Sequence, residues 1–141
     1  MSQIQWAERY RTGIPFIDAQ HQELFRSVAR VQEVIQSNGD PEAIRELMEG
    51  LLSRLQTHFR DEEAVLERLG YPDLLTHASE HASLARELQE MLDRFQGVPA
   101  SGAALAATFL SGWLRHHISG EDFQYLAFLR EHGIAPEQVG D

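Results

Sequence analysis

Five of the seven histidines in this 141-residue chain fall on helical stripes where leucine would be the default. In "LLSRLQTHFRDEEAVLERLG", residues 51 to 70, His58 and Glu62 fill the gap between Leu55 and Val65 with steps of three, four and three. His77 and His81 fill the gap between Leu74 and Leu84 with the same steps. His21 sits three before Leu24, and His117 lies four after Trp113. A lone histidine on an apolar face is ordinarily a hydrogen-bonded core residue. Five histidines and a carboxylate at one depth are different, because burying them without partners would cost several kcal/mol. A domain of this size has only roughly ten kcal/mol of net stability. A metal supplies the missing partner, and His-x-x-x-His or His-x-x-x-Glu puts two donors on one helical face. A structural zinc takes four ligands, so this set exceeds one tetrahedral site. Two metals joined by carboxylates fit better. Imidazole and carboxylate suit iron, zinc, copper or manganese alike, so the donors alone do not select among them.

The elements that must position these groups are helices. Four periodic segments are predicted, at about 18–37, 41–69, 73–95 and 101–131. Their apolar rows are Leu24, Val28, Val31 and Ile35; Ile44, Leu47, Leu51, Leu55, Val65 and Leu69; Leu74, Leu84, Leu88, Met91 and Phe95; and Leu105, Phe109, Trp113, Tyr125 or Leu126, and Leu129. Alternating steps of three and four are helical spacing. Breakers separate the segments: Asn38-Gly39-Asp40, Gly70 and Pro72, and "QGVPASG". Short loops favour an all-α, antiparallel up-down-up-down four-helix bundle. Residues 1–17 carry Trp6, Tyr10, Ile14, Phe16 and Ile17, and are expected to pack along the bundle as an N-terminal arm. The whole of 1–141 is expected to form one domain. In antiparallel neighbours, early in one helix and late in the next are at similar heights, so all the donors can converge at one level.

Composition narrows the chemistry. The formal net charge of -10 argues against nucleic acid and anionic membrane surfaces as partners. The chain has no cysteine, which excludes disulfides, thiolate metal sites, iron–sulfur clusters and c-type haem. No apolar run is long enough to span a bilayer, and "MSQIQWAERYRTG" lacks the apolar segment of a signal peptide. A cytoplasmic protein is expected.

At these residues the chain resembles the hemerythrin family, in particular its single-domain bacterial members. "GIPFIDAQHQELF" is similar to the segment of the first ligand, giving His21. "HFRDEE" is similar to the second, giving His58 and Glu62, and "YPDLLTHASEH" to the third, giving His77 and His81. "WLRHHISGED" is similar to the fourth, giving His117 and Asp122. The resemblance implies a non-haem di-iron centre. His77, His81 and His117 would hold one iron, and His21 and His58 the other, which keeps an open position for dioxygen. Glu62 and Asp122 would bridge the pair with an oxo or hydroxo group. Spacing alone would choose Glu121, four after His117, over Asp122, which is five after and about 140° round an ideal helix. A distortion near Ser119-Gly120, such as a π-bulge, or different iron partners would reconcile the two. His116 and His132 lie off the pattern. Phe59, Trp113, Leu114 and Ile118 lie beside the ligands; core packing accounts for them, and they are also candidates for a dry oxygen pocket.

The function implied by the resemblance is reversible dioxygen binding for storage, delivery or buffering, and not enzymatic turnover. The His-rich, carboxylate-poor donor set agrees, since ferritin-like di-iron enzymes use inward Glu-x-x-His pairs and Glu80 beside His81 falls off the stripe. The alternatives are an oxygen or redox sensor acting through a partner protein, and a di-iron enzyme handling peroxide or nitric oxide. A metal-free interaction module is disfavoured by the five inward histidines. A monomer is expected, with an oxygen-consuming enzyme as a candidate partner.

Overall fold

The computed structural model describes residues 4–94 and 99–140. It is a bundle of α-helices: α1 (Pro15–Gln36), α2 (Pro41–Leu69), α3 (Leu74–Arg94), α4 (Pro99–His117) and α5 (Phe123–Glu131). A π-helical segment, Ile118–Asp122, joins α4 to α5 into one long rod, the fourth helix of the bundle. α1 packs against α2 and α4, α2 against α3, and α3 against α4. There is no strand among the described residues, and no described helix is long and apolar enough to cross a membrane. Phe95, placed on the third apolar row by its spacing, lies outside the described residues.

The helix ends follow from local chemistry. α1 begins at Pro15, whose fixed φ suits a first helical position, and so takes in Phe16 and Ile17 from the expected arm. α2 opens on Pro41, with the Asp40 side chain accepting from Glu42 N at 3.3 Å. It ends at Gly70, left-handed at φ 71°, where Tyr71 N returns to Leu66 O at 3.0 Å. The arm itself is pinned by Asp18. Its carboxylate accepts from Thr12 N (2.8 Å), Thr12 Oγ1 (2.8 Å) and Gly13 N (3.0 Å). Ile4, Tyr10 and Ile14 are buried, and Trp6 is half-buried against Phe25.

One apolar row differs from its expectation. Leu105 is 58% exposed, and Phe109 and Trp113 are half-buried. The buried row of α4 is Ala106, Leu110 and Leu114, continuing to His117 and Ile118. The segment "LAATFLSGWL" is apolar on two adjacent rows, so periodicity cannot choose between them. At its far end Tyr125 is fully buried, while Leu126 is half-buried.

The core is two apolar clusters stacked along the bundle. One gathers Leu24, Leu55, Phe59, Leu84, Leu114 and Ile118, among others. The other gathers Ile17, Val65, Leu66, Tyr125 and Leu129. α1 passes from Ile17 to Leu24 through His21, and α2 from Leu55 to Val65 through His58 and Glu62. α3 reaches the first cluster at Leu84 through His77 and His81. The fourth helix crosses at His117 and Asp122, between Leu114 and Tyr125. The polar residues therefore form a layer sealed by apolar side chains above and below.

Candidate metal centre

That layer holds all seven residues singled out as ligands, and every one is buried; Glu62 and Asp122 have no exposure at all. The five imidazoles turn their Nε2 atoms inward to the two carboxylates. Glu62 Oε1 lies 2.7 Å from His77 Nε2 and 3.4 Å from His81 Nε2. Its other oxygen, Oε2, lies 3.5 Å from His58 Nε2 and 3.8 Å from His21 Nε2. Asp122 divides in the same way: Oδ1 is 3.2 Å from His77 Nε2 and 3.1 Å from His117 Nε2, and Oδ2 is 3.3 Å from His21 Nε2. Each carboxylate thus gives one oxygen to a three-histidine group and the other to a two-histidine group. Donor atoms of Glu62, His77, His81, His117 and Asp122 lie within 4.8 Å of one another, as do those of His21, His58 and Glu62.

The π-segment is what brings Asp122 into this layer. Its wider turn returns residue i+5 to the face of residue i, so Asp122 rejoins His117. Glu121, the choice by α-helical spacing, is half-buried and outside the cluster.

In the metal-free chain the two carboxylates and the imidazoles shift one another strongly. Burial and the neighbouring Asp122 charge oppose ionisation of Glu62, yet contacts with His77, His81 and His58 hold it below the usual carboxylate range. Burial also opposes ionisation of Asp122, and the imidazoles of His117, His21 and His77 outweigh it, holding the carboxyl well below the usual carboxylate range. Burial alone would lower His77; the facing Asp122 and Glu62 carboxylates push it up to about 10. His21 is raised against its own burial by Asp122 and Glu62. His58 goes the other way: burial outweighs Glu62 and takes it down to about 3, leaving a neutral imidazole ready to donate. Both Asp122 oxygens and both nitrogens of His21 are buried with no aligned hydrogen-bond partner among the described residues. A buried orphan of this kind costs about 1–3 kcal/mol. A cation between the two groups would satisfy His21 Nε2 and both Asp122 oxygens together. The nitrogen and oxygen donors fit two imidazole-binding cations bridged by carboxylates.

Around the layer, Phe59 stacks on His81 (ring centroids 3.9 Å apart) and neighbours His58 at 5.9 Å. Trp113 stacks on His117 at 4.3 Å. Leu114 and Ile118 are buried in the same cluster as Phe59. His116 and His132 are exposed, and His132 Nδ1 donates to Phe128 O at 2.9 Å.

Spacing arguments missed the residues behind the imidazoles. Glu63 Oε2 accepts from His81 Nδ1 at 2.8 Å, and Glu80 Oε2 lies 3.6 Å from His117 Nδ1. Gln20 Oε1 accepts from His58 Nδ1 at 2.6 Å, while Gln20 Nε2 donates to Asp61 Oδ2 at 2.9 Å. Tyr125 OH donates to Glu62 Oε2 at 3.3 Å. Glu63, Glu80 and Gln20 each sit one residue from a candidate ligand on the flank of its helix. From there a long side chain reaches across to the next helix, which adjacency to a ligand hints at and stripe-counting hides.

Comparison with known proteins agrees with this geometry. Residues 12–129 match the family described as "Hemerythrin HHE cation binding domain". A bacteriohemerythrin of Pseudomonas aeruginosa (strain LESB58) is 31% identical over 130 residues, covering 92% of this chain and 84% of the relative. A bacteriohemerythrin of Stenotrophomonas maltophilia (strain R551-3) is 29% identical over 132 residues, covering 94% and 85%. A myohemerythrin of Riftia pachyptila is 27% identical over 120 residues, covering 85% and 88%. The chain belongs to the hemerythrin HHE cation-binding family.

Proposed function

We propose that this chain acts as one hemerythrin-like unit that binds dioxygen reversibly at a non-haem di-iron centre. His77, His81 and His117 would hold one iron, and His21 and His58 the other. The observation that carries this reading is the division of Glu62 and Asp122, each with one oxygen toward each histidine group. The iron pair would supply the electrons and the open coordination position that dioxygen needs.

The chain's own residues do the rest. The two carboxylates place two negative charges where two cations are to sit. His58, neutral in the buried layer, offers its Nε2 without first losing a proton. Tyr125 OH fixes the orientation of Glu62 through Oε2. Phe59, Trp113, Leu114 and Ile118 form the apolar wall that limits water and proton entry. Only two carboxylates belong to the clustered donors among the described residues. So few anionic ligands stabilise high-valent iron weakly, which favours binding over oxygen activation. One bundle buries the whole centre, so a monomer suffices for storage, delivery or buffering.

The test is spectroscopy of the iron-loaded, reduced protein through cycles of air and vacuum. A charge-transfer band that appears and disappears reversibly supports oxygen binding. Immediate, irreversible oxidation with no such band counts against it.

A further inference from the structure

The two histidine groups share their carboxylates evenly but not their outer surroundings. An imidazole that ligates through Nε2 presents its Nδ1–H outward. The group receiving that proton tunes how strongly the ring donates. Behind the three-histidine group stand two carboxylates: Glu63 accepts from His81 Nδ1 at 2.8 Å, and Glu80, 3.6 Å from His117 Nδ1, is too far to accept and acts through its charge. Behind the two-histidine group stands a neutral amide, Gln20 Oε1, at 2.6 Å from His58 Nδ1. The nearest charge along that path, Asp61, is one hydrogen bond further out. His21 Nδ1 is buried with no hydrogen-bond partner among the described residues, beside the Trp6 ring at 6.5 Å between centroids; the Asp18 carboxylate one turn before it is bonded to Thr12 and Gly13 instead.

A carboxylate drawing on Nδ1–H gives the imidazole part of an anion's donor strength, and its charge attracts the cation directly. An amide oxygen does less, and an unpaired N–H does nothing. We infer that the cation subsites are unequal by construction. The His77/His81/His117 subsite fills first and holds its cation. The His21/His58 subsite fills second and exchanges faster, so Glu63, Glu80 and Gln20 are positioning residues that set the order of loading. This inference rests on the two-cation reading. It differs from the effect of ligand number, because Glu63 and Glu80 can be neutralised with all five histidines in place.

The experiment uses the full chain loaded with Zn2+, which is diamagnetic and takes imidazole and carboxylate donors. A chelator is added stepwise, and histidine side-chain nitrogen NMR follows which imidazoles lose the metal. In the wild type, His21 and His58 are expected to be freed first, while His77, His81 and His117 stay bound. In Glu63→Gln/Glu80→Gln, affinity at the three-histidine subsite should fall by about 10–100-fold, with the other subsite unchanged. In Gln20→Glu/Asp61→Asn, which moves a carboxylate behind His58 and removes its repelling neighbour, the His21/His58 subsite should tighten. A merely structural role for these side chains would not give opposite shifts at separate imidazoles. Fewer than two Zn2+ per chain would overturn the two-cation reading itself. Two Zn2+ released together, or His21 and His58 released last, would overturn the inference and leave that reading standing. Unchanged affinity in Glu63→Gln/Glu80→Gln would also overturn it, leaving ligand number as the cause.

Discussion

Asp122 stands five residues after His117, yet its Oδ1 lies 3.1 Å from His117 Nε2. In a regular α-helix the two would point about 140° apart. The π-helical turn at Ile118–Asp122 absorbs the extra residue and restores a common face. One prediction follows from counting alone. Deleting Gly120 would place the same aspartate four residues after His117 in a plain α-helix, with Tyr125 and Leu129 still facing inward. That variant should keep the fold by circular dichroism and keep its metal content. Asp122→Ala should keep the fold and lose metal. If the deletion lost metal as completely as Asp122→Ala, the π-turn account would be wrong.

Much of this was legible in the chain itself. The alternation of Leu55, His58, Glu62 and Val65 announces both the helix and its inward polar pair, because two donors four apart must share a face. The four-helix bundle followed from repeated stripes and short breakers. Asp122 was not derivable from spacing, since a π-turn changes the period itself; only the family resemblance named it. The inward row of α4 was hidden because alanines, leucines and aromatics cover two adjacent rows, and the sequence has no contrast there. Glu63 lies about 100° round the helix from Glu62, off the inward stripe. That offset fixes where a Cβ points, and the long Glu63 side chain crosses the gap to His81 in spite of it.

One anchor of the arm is Asp18, whose carboxylate takes three donors from Thr12 and Gly13. Asp18→Ala leaves the two backbone N–H groups without that acceptor. The expected loss is about 2–3 kcal/mol, since bonds to a charged acceptor are worth more than neutral ones. Thermal unfolding checks it, with the midpoint falling by several degrees. A midpoint unchanged from wild type would mean that the arm is held by its other contacts, the burial of Ile4, Tyr10 and Ile14 and the Ile4 N bond to Gln32 Oε1.

Ile118 is fully buried on the wall of the polar layer. Ile118→Ala removes packing there and should destabilise the chain by about 2–4 kcal/mol. The same gap admits water toward the histidines. Reduced, iron-loaded Ile118→Ala should therefore oxidise irreversibly in air faster than wild type, as read by loss of the reversible optical change. Equal oxidation rates would remove Ile118 from the proposed pocket.

Cations and protons compete for the layer. At pH 7 the metal-free chain keeps a second proton on His77, whose pKa is pushed up to about 10, while His58, down at about 3, is neutral and keeps only its Nδ1–H. A cation bound at His77 Nε2 must displace that proton. Zn2+ titrated into metal-free chain at pH 7 should release protons, seen as an apparent binding enthalpy that varies with the buffer's ionisation enthalpy. The release should fade as the pH rises through about 10, where His77 has already lost its proton. An enthalpy identical in every buffer at pH 7 would contradict this.

The central claim is that Glu62 and Asp122 join two cations, one in each histidine group. Crystals of the iron-loaded chain, with anomalous diffraction collected at the iron edge, test it most directly. The account predicts two anomalous peaks, one bounded by His77, His81 and His117 and the other by His21 and His58, with an oxygen of each carboxylate facing each peak. A single peak, or two peaks sharing neither Glu62 nor Asp122, would contradict it.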